Sequence, residues 1–360
     1  MKGILVGLVA VAVGAAAWGF SEPEHTAIWI DAKTHLNATA TKAVADLLGN
    51  ESPLKTACWA DFIRLQETKP GPNGQPPKTT EAEIESVKGT PAFAQSDDWH
   101  FVDLPLGTKE YGDGTGIPSA GSNDVVHAIQ ACIDLLEQPD GSPGKIVHVR
   151  ALRFLVHLVG DIHQPLHVAC AYWSEKDGKV TRIDDPKTAA AEKTLDDKGG
   201  NQLLTSSSNK DKNLHHDWDD TIPRLAVKAQ ISAAEEAAKQ QGKDPSEVDV
   251  GQVMASVLQS HEAAVAGWDE ITNGTAYRDW AGKWATDAIK PANKAYTGIQ
   301  ISSVAADVEK GRTMTYIQKT PINGFDEAKY EGDQTGAVLD QMTKASLRLA
   351  ALLNSIKWAK

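Results

Sequence analysis

"IVHVRALRFLVHLVGDIHQPLH", residues 146–167, decides how the chain is read. Its apolar residues recur at three- and four-residue spacing, the period of an α-helix. His157 and Asp161 lie four apart on that pattern, so their side chains share a face. Gln164-Pro165 then ends or kinks the helix, because proline disfavours the helical conformation of its predecessor. The bend can bring His167 back beside the same face.

The same periodicity extends outward in both directions. "HTAIWIDAKTHLNATATKAVADLLG" (25–49), "LKTACWADFIRLQ" (54–66), "NDVVHAIQACIDLLEQ" (123–138) and "GAVLDQMTKASLRLAALLNSI" (336–356) all carry it. Convincing period-two strands are scarce. Residues 69–83, rich in Pro and Gly, read as an exposed loop. Residues 174–201 read as a connection with room for a short hairpin. No internal repeat or clear linker divides the chain. The expected fold class is therefore all-α: a single, mostly helical domain with loop insertions.

The N-terminus carries a different signal. Lys2 precedes an apolar run from Gly3 to Gly14, followed by Ala15-Ala16-Ala17, the small-residue pattern of a signal-peptidase site. The run is shorter than the roughly 20 residues of a spanning helix. Residues 1–17 are expected to be a signal peptide, cleaved at Ala17/Trp18, and residues 18–360 the exported domain, periplasmic or secreted. Nothing calls for a membrane anchor or a stable protein partner. The net charge of −12 excludes a conventional basic nucleic-acid binder, unless bound cations reverse the field locally. Cys58, Cys132 and Cys170 allow one disulfide at most and read as small buried hydrophobes.

"NLHHDWDD", residues 213–220, repeats the four-residue spacing with His215 and Asp219. One such pair is more often a surface ion pair than anything else. Two pairs and His167, on a chain with eleven histidines, point to a metal site of imidazoles and carboxylates, the set zinc takes without thiolates. His216 and Asp220 offer a competing register one residue later. His163 reads as a hydrogen-bonding neighbour of the ligands, and His35, His127, His148 and His261 as ordinary histidines.

Seven segments, in order, resemble the type I nucleases, the zinc-dependent single-strand nucleases of fungi, plants and bacteria. They are "WGF" (18–20), "WADFIR" (59–64), "WHFVDLP" (99–105), "HLVGDIHQPLH" (157–167), "DKGGN" (197–201), "NLHHDWD" (213–219) and "ASLRLAALLN" (345–354). The resemblance implies a helical fold of the phospholipase C/nuclease type with three zinc ions in a cleft. It implies that Trp18 binds one zinc through its α-amine and carbonyl, with His25 and one oxygen of Asp161. The family's histidine normally stands five residues after the tryptophan, where this chain has Pro23, so Glu22 and Glu24 remain alternatives to His25. Asp61, His100, His157 and Asp161 would hold the second zinc, with Asp161 bridging, and His167, His215 and Asp219 the third.

By the same resemblance Phe101 stacks on a base. Asp103 bonds to the base edge or to a zinc-bound water, and Asn201 lines the pocket. Asp161 and Asp103 are thus the expected catalytic carboxylates. The implied substrates are single-stranded DNA and RNA, cut at the P–O3′ bond to leave 5′-phosphates, with 3′-nucleotides as further candidates. Two alternatives share much of this pattern: a zinc phospholipase C, and a non-catalytic periplasmic zinc-binding protein.

Overall fold

The computed structural model describes residues 20–71, 75–112, 123–139, 144–191, 194–206, 208–209, 211–309 and 312–358. Trp18 and the proposed signal peptide lie outside the described residues. The fold is built around the helix Lys145–Asp161, whose residues from Ala151 to Asp161 are all buried. A helix that is apolar nearly all round has to be enclosed by others. Here Pro53–Arg64, Val125–Leu136 and the long C-terminal helix Glu327–Ser355 pack on it. The N-terminal helix Glu22–Thr34 lies against Pro53–Arg64, Val250–His261 and the C-terminal helix. Trp29, Trp59, Phe154, Trp218 and Trp284 are among the largest fully buried side chains of the core.

Local chemistry sets the helix ends. Asn37, Ser52, Asp124 and Asp326 each accept a hydrogen bond from a first-turn amide, satisfying donors that the helix cannot pair itself. After Asp161 the chain turns at Gln164, which is extended (φ −80°, ψ 114°) before Pro165, as the sequence predicts. Pro165 opens a single turn, Pro165–Val168, that carries His167.

Strands are more numerous than the periodicity suggests. Tyr172–Lys176 and Lys179–Ile183 form an antiparallel hairpin, placing the short hairpin anticipated within 174–201. Asp177 (φ 53°) and Gly178 (φ 73°) make its two-residue turn, with both residues in the left-handed conformation such turns require. The hairpin pairs with Leu195–Asp196, which pairs in parallel with Arg312–Ile317, and Ala306–Glu309 closes the five-stranded sheet. The domain remains mostly helical, with this sheet as an insertion at one side of the cleft. Cys58, Cys132 and Cys170 are buried and free. Among the described residues no helix is long and apolar enough to cross a membrane.

Candidate metal centre

The buried turn of Lys145–Asp161 presents His157 and Asp161 on one face. Nδ1 of His157 donates to the Ala57 carbonyl (2.8 Å), which fixes the ring. Its Nε2 then lies 3.1 Å from Asp161 Oδ2 and 3.5 Å from Asp61 Oδ1. The loop residue His100 brings Nδ1 to 3.0 Å from Asp161 Oδ2, 3.6 Å from Asp61 Oδ1 and 3.1 Å from His157 Nε2. Two imidazole nitrogens at that separation need a proton or a cation between them.

His25 completes this side. Its Nε2 is 3.4 Å from Asp161 Oδ1, and its ring stacks on His157 with centroids 3.9 Å apart. Pro23 sits in the first turn of Glu22–Thr34, where its missing amide costs nothing, and His25 follows two residues on. Gly160 makes room for the ring: a Cβ there would stand 2.6 Å from His25 Nδ1. Glu22 instead pairs with Lys78 at the surface, and Glu24 is buried against Ser21. Of the three alternatives it is His25 that reaches Asp161.

The third group forms where the bend returns. His167 Nδ1 donates to the His100 carbonyl (2.7 Å), and His215 Nδ1 to that of Gly199 (2.8 Å). Their Nε2 atoms face Asp219 at 3.8 and 3.4 Å. Asp219 lies on a π-turn, Asp217–Thr221, a geometry that inserts one extra residue per turn and often marks functional sites. Gln164 donates to Asp219 Oδ1 (2.8 Å), and Ser21 donates its amide to the Asp219 carbonyl (3.0 Å). Gly199, at φ +57°, could not carry a side chain, since a Cβ would meet the Leu166 carbonyl oxygen at 2.1 Å. Asp220 turns away to Arg224, so the competing register of His216 and Asp220 does not converge.

Metal chemistry fits these groups. His25 and His167 keep Nε2 buried and without a hydrogen-bond partner, as do Oδ1 of Asp61 and Oδ1 of Asp161. Orienting one imidazole nitrogen on a backbone carbonyl, with the other aimed at a shared point, is the arrangement of a metal-ligating histidine. Burial pushes His25, His167 and His215 below the usual imidazole value, and His100 down to about 4, so their lone pairs are available. His163 stands apart, bonding to the Val159 carbonyl and Arg348.

A cavity of about 360 Å³ opens beside the third group, and Phe101, Asp103 and Asn201 line it. Arg64, Asp196, Lys198 and Tyr316 line it too, and the motif reading did not single these out. The Arg64 guanidinium lies 5.8 Å from the Phe101 ring centroid, and Lys198 Nζ is 3.4 Å from that of Tyr316. Arg64 and Lys198 stand inside quoted motifs and were findable as cations beside a phosphate-sized charge. Tyr316 gave no signal, because its strand reaches the cleft only through tertiary pairing. Burial and the neighbouring Asp196 push the Asp103 carboxyl up, and burial lifts Asp196 to about 6.

Comparison with known proteins gives an independent view. A family profile described as S1/P1 Nuclease matches residues 20–357. Endonuclease 2 of Arabidopsis thaliana is 24% identical over 98% of this chain and 95% of its own length. Nuclease S1 of Aspergillus oryzae is 26% identical over 60% of this chain and 59% of its own. Nuclease P1 of Penicillium citrinum is 29% identical over 41% of this chain and 42% of its own.

Proposed function

The chain belongs to the S1/P1 nuclease family, and on that footing we propose that it is an exported, zinc-dependent nuclease of single-stranded DNA and RNA. It is a phosphodiester hydrolase; the strand preference, the metal and the products are the proposal. The observation that carries it is the convergence of three histidine–carboxylate groups, with Nε2 of His25 and of His167 buried and unpartnered, beside an aromatic and cationic cavity.

Asp61, His100, His157 and Asp161 would hold one zinc, and His167, His215 and Asp219 another. His25 and Asp161, with the amine and carbonyl of Trp18 after signal-peptide cleavage, would hold a third. When bound, such ions acidify water and neutralise charge on phosphate and leaving oxygens. Asp161 offers one oxygen to each neighbouring group and so fixes their spacing. Phe101 would take an unstacked base on its face, an interaction worth about 1–3 kcal/mol per base and unavailable to a base within a duplex. Asp103 would receive the base edge, and Arg64 the phosphate. Cleavage is proposed at P–O3′, leaving 5′-phosphates, with 3′-nucleotides taken by the same pocket.

The test offers zinc-loaded mature protein denatured DNA, duplex DNA, RNA and phosphatidylcholine, with end-group analysis of the products. Rapid loss of denatured DNA and RNA with 5′-phosphate ends is expected. Preferential cleavage of duplex DNA, or of phosphatidylcholine, would overturn the proposal.

A further inference from the structure

Outside the cleft, Asp31, His35 and Glu262 bring ligand atoms together. Asp31 lies six residues beyond His25 on the N-terminal helix, about 9 Å along its axis, and His35 caps that helix. Glu262 follows the helix Val250–His261. We propose that these three side chains form a further zinc site, separate from the cleft, which ties the end of the N-terminal helix to the end of Val250–His261. Such a site is independent of the nuclease mechanism.

Geometry supports it first. His35 Nε2 is 3.0 Å from Glu262 Oε1 and 3.7 Å from Asp31 Oδ1. Two donors bound at about 2.0–2.1 Å to a tetrahedral zinc stand about 3.3 Å apart, a value these distances bracket. Asp31 and His35 also repeat the i, i+4 spacing of His157/Asp161 and His215/Asp219, which sets two donors on one helix face.

Burial and charge add to the geometry. Asp31 is 0% exposed. The Ser346 hydroxyl donates to its Oδ2 (2.5 Å) and the Gln259 amide bears on the carboxylate, yet Oδ1 has no donor at hydrogen-bonding distance. A buried carboxylate oxygen left unpaired is costly. Among the described residues no Lys or Arg forms an ion pair with Asp31 or Glu262. The side chains of His35 and Glu262 are each 32% exposed, which leaves solvent access for a water as fourth ligand and for metal exchange. The Ser346 hydrogen bond orients Asp31 in the manner of a partner outside the ligand set.

The experiment measures zinc bound by the native mature holoenzyme, His35→Ala and Glu262→Gln after equilibrium dialysis against buffered free zinc, alongside kcat on denatured DNA. Each variant is expected to hold one zinc fewer than the native protein, with kcat within about twofold. Both residues are partly exposed, and Glu262→Gln, the more conservative change, decides if His35→Ala fails to fold. Equal zinc content in native and variant proteins would show an ordinary ion pair and overturn the site. Loss of activity together with zinc would overturn its separation from the cleft. The readout is a difference, so it stands whatever number the cleft itself holds, and an inactive native protein would count against the nuclease proposal alone.

Discussion

Gly160→Ala tests the packing behind the metal centre. In a helix interior the change ordinarily stabilises by roughly 1 kcal/mol, because alanine loses less backbone entropy. At this position the added Cβ would lie 2.6 Å from His25 Nδ1 and 2.8 Å from its Cε1. Ordinary contact begins near 3.4 Å, so the imidazole has to retreat by roughly 0.8 Å. It cannot do so freely, since the ring is stacked on His157. Overpacking of this kind costs about 1–3 kcal/mol. The two effects nearly cancel, and the variant should fold with a stability loss of about 0–2 kcal/mol. Function should suffer far more, because a shift near 1 Å in a catalytic constellation costs about 10²-fold. The assay combines urea unfolding in chelator, zinc analysis and kcat on denatured DNA. Gly332→Ala is the control: nothing lies within 4 Å of its Cβ on the C-terminal helix, so it should stabilise by about 0.5–1 kcal/mol and leave kcat unchanged. Native zinc content and native kcat in Gly160→Ala would refute the idea that the position of His25 is set by the missing side chain at 160.

Three further outcomes are expected. Asp161→Asn should abolish activity and loosen two zincs, whereas Phe101→Ala should keep all zinc and raise KM on single strands; equal zinc loss in both would make Phe101 a packing residue. A cytoplasmic form with methionine retained before Trp18 should fold, bind about one zinc fewer and lose most activity, and enzymatic removal of that methionine should restore both; full activity of the blocked form would exclude the terminal amine as a ligand. Burial pushes the Asp197 carboxyl up to about 7, against its hydrogen bonds from Tyr296, Trp173 and the Gly200 amide. The folded state then holds a proton that the unfolded chain releases near pH 4, so stability should fall as pH rises from about 4 to 7, by on the order of 2–4 kcal/mol. Urea unfolding of zinc-free protein across that range should show a shallower slope in Asp197→Asn than in the native chain, where Asp196, Asp217 and Glu24 are raised by burial as well; identical slopes would refute the role of Asp197.

The helices were legible because their apolar spacing is long and regular. Lys145–Asp161 reads as buried from composition alone, and Gln164-Pro165 marks its end. The ligand candidates were legible because helical spacing puts His157 beside Asp161, and His215 beside Asp219, before any tertiary contact is known. The sheet was hidden for the opposite reason. Leu195–Asp196 is two residues long, too short for alternation to register, and its partner Tyr316 lies far away in sequence. Tyr316 was lost with it. Asp31, His35 and Glu262 were invisible as a set, since their third member arrives from a different helix. The role of Gly160 was also beyond reach, because it depends on which side chain crosses the helix at that point.

The segment His100–Val102 is fastened to His167 at two points. The His100 carbonyl receives His167 Nδ1, and the Val102 amide donates to the His167 carbonyl (2.7 Å). Phe101 sits between those two fasteners. On the proposed roles of Phe101 and His167, anyone wishing to retune base preference by grafting a foreign loop over 99–105 would therefore be re-machining the mount of a proposed metal ligand at the same time. The shelf and the mount are one part, and a successful graft has to carry its own carbonyl for His167.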